Sequence, residues 1–223
     1  MDKLSRSKIE LFTDCPRCFW LGAKQDVKRP PPMPYTINNA IDYLLKQEFD
    51  VHRAAGTPHP IMVEKKMDAV PFSHPDINKW RHNFTGVRFE YKSADILVFG
   101  AVDDVWVRPN GEIIVVDYKA TGANQHQIYD SYKRQMEVYQ WLLRQNGFNV
   151  SPTGYFLFAK VNKAGGFSKR ALQFDIFLEP CEGNSDWIDG ILMEMRKTLN
   201  MTESPAASAK CVYCEYIRNG AEY

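Results

Sequence analysis

Four cysteines fall in two Cys-x-x-Cys pairs, Cys15/Cys18 near one end of the sequence and Cys211/Cys214 near the other. Each pair is a turn-sized clip that can offer two thiolates to a soft metal centre. If both clips serve one centre, the two ends of the chain must meet, and nearly everything between them becomes a closed loop. The alternative, four unrelated buried thiols, needs two coincidental spacings. In a reducing compartment the pattern reads as metal ligation or redox chemistry before disulfides. A thioredoxin-like redox role wants a βαβ context that neither clip has. Zinc and an iron–sulfur cluster both accept four thiolates, and spacing does not separate them. Cys181 stands outside both pairs and reads as a small buried hydrophobe.

The whole chain has 223 residues, 44% of them hydrophobic. That is enough for a single compact domain over residues 1–223 without disulfide staples, with 1–30 and 202–223 forming the cysteine clasp. No apolar run has the length of a membrane span, and the first residues are not followed by a continuous apolar stretch. A cytoplasmic location without membrane partners is the expectation. The 28 basic and 27 acidic residues leave a net charge of +1. That neither announces a nucleic-acid binder nor excludes one, because an acidic metal site offsets basic residues elsewhere.

Periodicity gives a coarse order of elements. A short helix over residues 5–14 leads into Cys15-Pro16, and Lys28-Arg-Pro-Pro-Pro-Met-Pro34 is a linker. A helix from Thr36 to Arg53 carries an apolar stripe of Ile37, Ile41, Leu44, Leu45 and Phe49. Residues 54–75 are mostly loop, and a short helix follows Pro75. Strands are expected over 87–91, 96–107 and 113–118 as a meander. A long helix over 126–146, strands over 155–161 and 172–178, and a helix after Asn184 complete a mixed α/β domain with a central sheet covered by helices. His52, His59, His74 and His82 lie in the polar, proline-rich region with no recurring spacing and read as solvated.

The chemistry concentrates in Gly100-Ala-Val-Asp103-Asp104, a strand, the turn Pro109-Asn110-Gly111, and a second strand ending in Asp117-Tyr118-Lys119. Proline suits the first turn position and glycine the left-handed last one, which favours a three-residue loop. Arg108 then faces Glu112, and Asp103 falls opposite Asp117 with Cβ atoms about 5 Å apart. A two-residue loop would put Asp104 there instead, because a one-residue slip flips every side chain. Lys119, two residues on, shares the face of Asp117. Carboxylates this close repel unless something positive lies between them, and a hard divalent cation, Mg²⁺ or Mn²⁺, is the natural candidate. Lys119 would orient or activate an attacking water or stabilise developing charge. A salt-bridged, solvated strand end is the plainer reading of a lone Asp-x-Lys.

These segments resemble the PD-(D/E)XK nuclease superfamily, and within it the branch of the RecB and AddB nuclease domains and the CRISPR-associated adaptation nuclease. Gly100-x-x-Asp103, Asp117-x-Lys119, Gln135-x-x-x-Tyr139, and Ser5-Arg-Ser-Lys-Ile-Glu-Leu-Phe12 leading into Cys15-Pro16-Arg17 match that branch in order along nearly the whole chain. The resemblance implies a restriction-endonuclease-like mixed sheet flanked by helices. It implies Asp103, Asp117 and the Tyr118 carbonyl as metal ligands, Lys119 as the catalytic lysine, and Gln135 and Tyr139 flanking the site. The family's early helix carries a histidine ligand; aligned here, that position is Asp42, which can also hold Mg²⁺ or Mn²⁺.

The cysteine pattern follows the iron–sulfur members only in part, with Cys18 present and Gly220 at the expected last position. The resemblance still favours a [4Fe–4S] cluster on Cys15, Cys18, Cys211 and Cys214, with zinc as the alternative.

The implied activity is metal-dependent DNA cleavage, exonuclease-type on ends or single strands, in DNA repair or CRISPR-type processing. No Walker-A pattern occurs, so the chain carries no helicase motor of its own, and the expected partners are DNA and a helicase or integrase-type protein. Two other functions fit the same residues: an inactive DNA-end or partner-binding subunit that keeps the fold, and a zinc-stabilised interaction module unrelated to nucleases.

Overall fold

The structure, a computed structural model, describes residues 1–31, 36–166, 168 and 170–220. Residues 28–31 of the expected linker carry no regular structure, and 32–34 lie outside the described residues. The chain divides into two compact units, one of Met1–Met33, Phe89–Phe99 and Asp186–Tyr223, the other of Pro34–Arg88 and Gly100–Ser185. The architecture is mixed α/β, with helices flanking mixed sheets and a four-cysteine cluster joining the N- and C-terminal segments. Among the described residues no helix is long and apolar enough to cross a membrane.

The first unit begins with β1 (Asp2–Ser5), unforeseen in the sequence, then α1 (Arg6–Asp14) and α2 (Pro16–Lys24). Cys15 breaks these two helices with extended backbone, and Pro16 opens the second, where a missing N–H costs nothing. β1 pairs in parallel with β4 (Ile96–Gly100), in a three-stranded sheet ordered β1-β4-β3 with β3 at Val87–Tyr91. α7 (Trp187–Leu199) and α8 (Val212–Gly220) complete the unit.

The second unit carries α3 (Thr36–Ala55), α4 (Pro60–Glu64), β2 (Val70–Pro71), α5 (Ile77–Trp80), β5 (Asp104–Val107), β6 (Ile113–Thr121), α6 (Asp130–Gln145), β7 (Thr153–Val161) and β8 (Phe174–Glu182). Its sheet runs β2-β5-β6-β7-β8, antiparallel except for β6 and β7, which α6 connects in parallel. α3 lays Leu45 and Phe49 on Trp106, Ile114, Val116 and Tyr118. The inward stripe is thus buried Leu45 and Phe49 with partly buried Ile41, at helical spacing. Ile37 and Leu44, counted in the expected stripe, are exposed.

Three expectations are corrected. The strand expected over 96–107 is two strands in different sheets, broken at 101–103, so the meander does not exist. α6 starts at Asp130 rather than His126, because His126 stacks on Phe177 at 4.3 Å and pairs with Glu179 at 2.9 Å, holding 126–129 against β8. His59 is buried rather than solvated: it caps α4 by accepting from the Ile61 N–H and stacks on Phe49 at 4.0 Å.

Candidate active site

The hairpin turn sets the register of the site. Arg108 N–H donates to the Glu112 carbonyl at 2.9 Å, Gly111 N–H donates to Arg108, and Gly111 sits at φ +83°. Val107 pairs with Ile113 and Asp104 with Val116, so the next pair along is Asp103 and Asp117, as the three-residue loop requires. Asp103 Oδ2 accepts the Tyr118 N–H at 3.0 Å, which ties its carboxylate to β6.

Asp117 is fully buried. Its Oδ2 pairs with the Lys119 ammonium, and its Oδ1 accepts from Gln135 Nε2 at 2.8 Å. The same Gln135 amide donates to the Tyr139 hydroxyl at 3.0 Å and, through Oε1, accepts from Lys119 at 3.3 Å. Gln135 and Tyr139 lie one turn apart on α6, and together with Lys119 they lock the end of β6 from one side. Tyr139 also explains Gly100. A Cβ there would come within 2.7 Å of the Tyr139 ring, so the strand can pass only as glycine.

Alternation sends Tyr118 and Asp104 to the other face. The Tyr118 hydroxyl donates to Asp104 Oδ2 at 2.7 Å. Asp104 Oδ1 takes Arg53 Nη2 at 2.5 Å and Arg81 Nη2 at 2.9 Å, and both arginines also reach Asp50. This buried ionic network satisfies Asp104 completely, so the two adjacent aspartates have opposite fates: Asp104 is walled into the core and Asp103 faces the cavity. Removing one member of such a network costs about 3–5 kcal/mol.

α3 supplies the remaining carboxylate. Asp42 stands near Asp103, and both bond to Lys46, a residue the sequence reading did not single out although it lies one helical turn from Asp42. Burial and the Asp103 charge push the Asp42 carboxyl above its ordinary range. Burial alone would lower Lys119, but Asp117 and Asp103 outweigh it and hold the ammonium above its usual value. Lys119 is therefore a fixed cation. A cavity of about 820 Å³ opens over these groups, lined by Asp42, Lys46, Arg81, Asp103, Lys119 and Tyr132 among others. Asp42 Oδ1 is buried without a hydrogen-bond partner among the described residues, an acceptor that a hard cation would satisfy. Asp42, Asp103 and Asp117 offer the oxygen donors that a hard divalent cation takes, while among the described residues the four cysteines are the group whose ligand atoms already stand close enough to share one ion.

The structure gathers all four cysteines of the two clips. Cys18 Sγ lies 3.6 Å from Cys211 and from Cys214, and Cys15 lies 3.9 Å from Cys214. All four sulfurs are within 4.8 Å of one another. Tetrahedral zinc, with Zn–S near 2.3 Å, sets its sulfurs about 3.8 Å apart. A cluster that interposes four irons spreads them wider. Arg29, unforeseen, donates to Cys211 Sγ at 3.2 Å, pairs with Asp14 and covers the Tyr213 ring at 4.5 Å. Burial would raise the Cys211 thiol, but hydrogen bonds from the Cys214 backbone and the Cys18 side chain bring it down to about 7. Cys18 and Cys214 are raised, by burial first. Cys181 lies in β8, away from the cluster in sequence and absent from it in space.

Comparison with known proteins adds a family. Residues 34–218 match the family model of the PD-(D/E)XK nuclease superfamily. Among solved structures, the crystal structure of SSO0001 is similar at 12% sequence identity and a TM-score of 0.47, over 98% of this chain and 85% of that one. No curated protein matches.

Proposed function

The chain belongs to the PD-(D/E)XK nuclease superfamily, a group of metal-dependent nucleases, and from that premise we propose that it hydrolyses DNA phosphodiesters at ends or in single strands with Mg²⁺ or Mn²⁺. The observation that carries this reading is the hairpin register, Asp104 against Val116, which by continuation sets Asp103 opposite Asp117, itself ion-paired with Lys119.

Asp42, Asp103 and Asp117 would hold the ion, with the Tyr118 carbonyl that the resemblance adds. When bound, a divalent ion supplies a water nucleophilic at neutral pH and neutralises charge on the phosphate. Lys119, beside Asp117 and Gln135, would orient that water or stabilise charge on the phosphate. Gln135 keeps the Lys119 ammonium and the Asp117 carboxylate in one geometry, and Tyr139 anchors Gln135. The cysteine clasp is read as structural. The [4Fe–4S] cluster of the resemblance and zinc share its four ligands, and the sulfur separations favour a single tetrahedral ion. Metal analysis of protein purified without oxygen, with its visible spectrum, separates the two. DNA repair or CRISPR-type processing, alongside a helicase or an integrase-type partner, is the setting this reading fits.

The test is cleavage of end-labelled single- and double-stranded DNA with Mn²⁺ or Mg²⁺, wild type beside Lys119→Ala. The wild type should cut and the variant should lose about 10²–10³-fold in rate or more. A product ladder growing from one end gives exonuclease action and its polarity. No cutting by wild type on any substrate would replace this reading with that of a binding subunit.

A further inference from the structure

Three carboxylates meet two ammoniums at the site, and only one ammonium, Lys119, comes from the hairpin. The other is Lys46. Its Nζ donates to Asp42 Oδ2 at 2.8 Å and to Asp103 Oδ1 at 3.1 Å, joining α3 to the residue that precedes β5. The three side chains are largely sheltered, 20% exposed for Lys46, 33% for Asp42 and 24% for Asp103, so water screens the contact only partly.

The oxygens can be followed one by one. Asp103 Oδ1 takes Lys46 and Oδ2 takes the Tyr118 N–H. Asp117 Oδ1 takes Gln135 and Oδ2 pairs with Lys119. Asp42 Oδ2 takes Lys46. Asp42 Oδ1 is buried with no hydrogen bond among the described residues, and, unlike Asp117 Oδ2, which also lacks one, it has no ion pair either. A carboxylate fixed through one oxygen, with the other bare and sheltered, has the form of a ligand held ready by its neighbour. Without Lys46, Asp42 and Asp103 would repel; the other ties of α3 to this region run to the neighbouring residues, from Arg53 to Asp104 and from Asn38 to the Ala120 carbonyl.

We propose that Lys46 is a positioning residue of the active site, bridging Asp42 and Asp103 so that the two carboxylates stand together to receive a divalent cation. This rests on the metal-dependent reading above. Lys46 acts through the carboxylates and is assigned no contact with substrate.

The test is Mn²⁺ binding to the full chain, by calorimetry and by loss of the free-ion EPR signal, for wild type, Lys46→Met and Lys46→Arg. Mn²⁺ prefers oxygen donors, so the titration reads the carboxylates rather than the thiols. Lys46→Met should weaken binding by about 10- to 100-fold, the usual cost of losing a partner that orients ligands. Lys46→Arg should recover part of it. Binding that is unchanged in Lys46→Met overturns the proposal and leaves a bystander. Tighter binding also overturns it and makes Lys46 a competitor for the same oxygens. A wild type that binds no Mn²⁺ overturns the metal reading and this inference together, which distinguishes that failure from the other two. If the methionine variant does not fold by circular dichroism, Lys46→Gln, which keeps a single donor, is read by the same criteria.

Discussion

The carboxylate site and the cysteine clasp are both metal-type donor sets, yet they are held in opposite ways. The carboxylates are fixed by the protein itself. Sheet register places Asp103 and Asp117, and Lys119, Gln135, Lys46 and a backbone N–H hold their oxygens. Around them lies a large apolar core that includes Phe49, Trp106, Ile114 and Leu157. The cysteines have no such frame. They are themselves the middle of their cluster, with Leu11 and Ala207 packed against it and Arg29 donating to Cys211, and burial pushes two of the thiols up. One donor set is thus held in place by neighbouring charged and amide groups, while the other is held chiefly by the packing of its own thiols.

That contrast can be broken most directly at the clasp. Cys211→Ser, or stripping with a strong thiol-competing chelator, should cost several kcal/mol of stability and loosen the first unit, because binding energy at a structural thiolate site is folding energy. Mild chelation of the carboxylate site should stop cleavage and leave the melting temperature nearly unchanged. Thermal melts with and without each chelator check both. Equal effects of the two treatments would erase the distinction.

A smaller effect is expected at Gln135. Replacing it with leucine leaves Asp117 Oδ1 and the Tyr139 hydroxyl without their shared donor, at a cost of about 1–3 kcal/mol. Cleavage should fall by about 10- to 100-fold. Gln135→Glu should be worse in rate, since it adds a charge beside Asp117. Steady-state rates beside denaturant melts separate the catalytic loss from the structural one.

The smallest effect sharpens the claim that the turn organises the site. Gly111→Ala meets nothing within 4 Å, so only its φ of +83° is penalised. The expected loss is about 1–2 kcal/mol in stability with cleavage retained. Loss of activity out of proportion to stability would mean that the register slips when the turn is strained.

Much of the site was legible because its causes are local. Proline, asparagine and glycine in order dictate a three-residue loop, and that loop alone decides that Asp103, not Asp104, faces Asp117. The spacing of Gln135 and Tyr139 on a helix, and of the cysteines within each clip, is equally local; the structure sets Gln135 against Asp117, Lys119 and Tyr139, links Asp42 to Asp103 through Lys46, and gathers the four cysteines. The families of strands were less legible. Residues 96–107 have one continuous β-rich composition, and nothing in it marks the break at 101–103.

What the sequence by itself determined, then, was the hairpin register, the main helices and the pairing of thiols into clips, since turn chemistry and helical or strand periodicity act over a few residues. What only the tertiary structure decided was which distant groups complete these pieces. The packing of Tyr139 onto Gly100, the enclosure of Asp104 by Arg53 and Arg81, the reach of Lys46 to Asp103 and of Arg29 to Cys211 all join residues far apart in the chain. Burial turns each of these charges into one that must be paired, and which partner is near enough to pair with it is fixed only when the elements have packed.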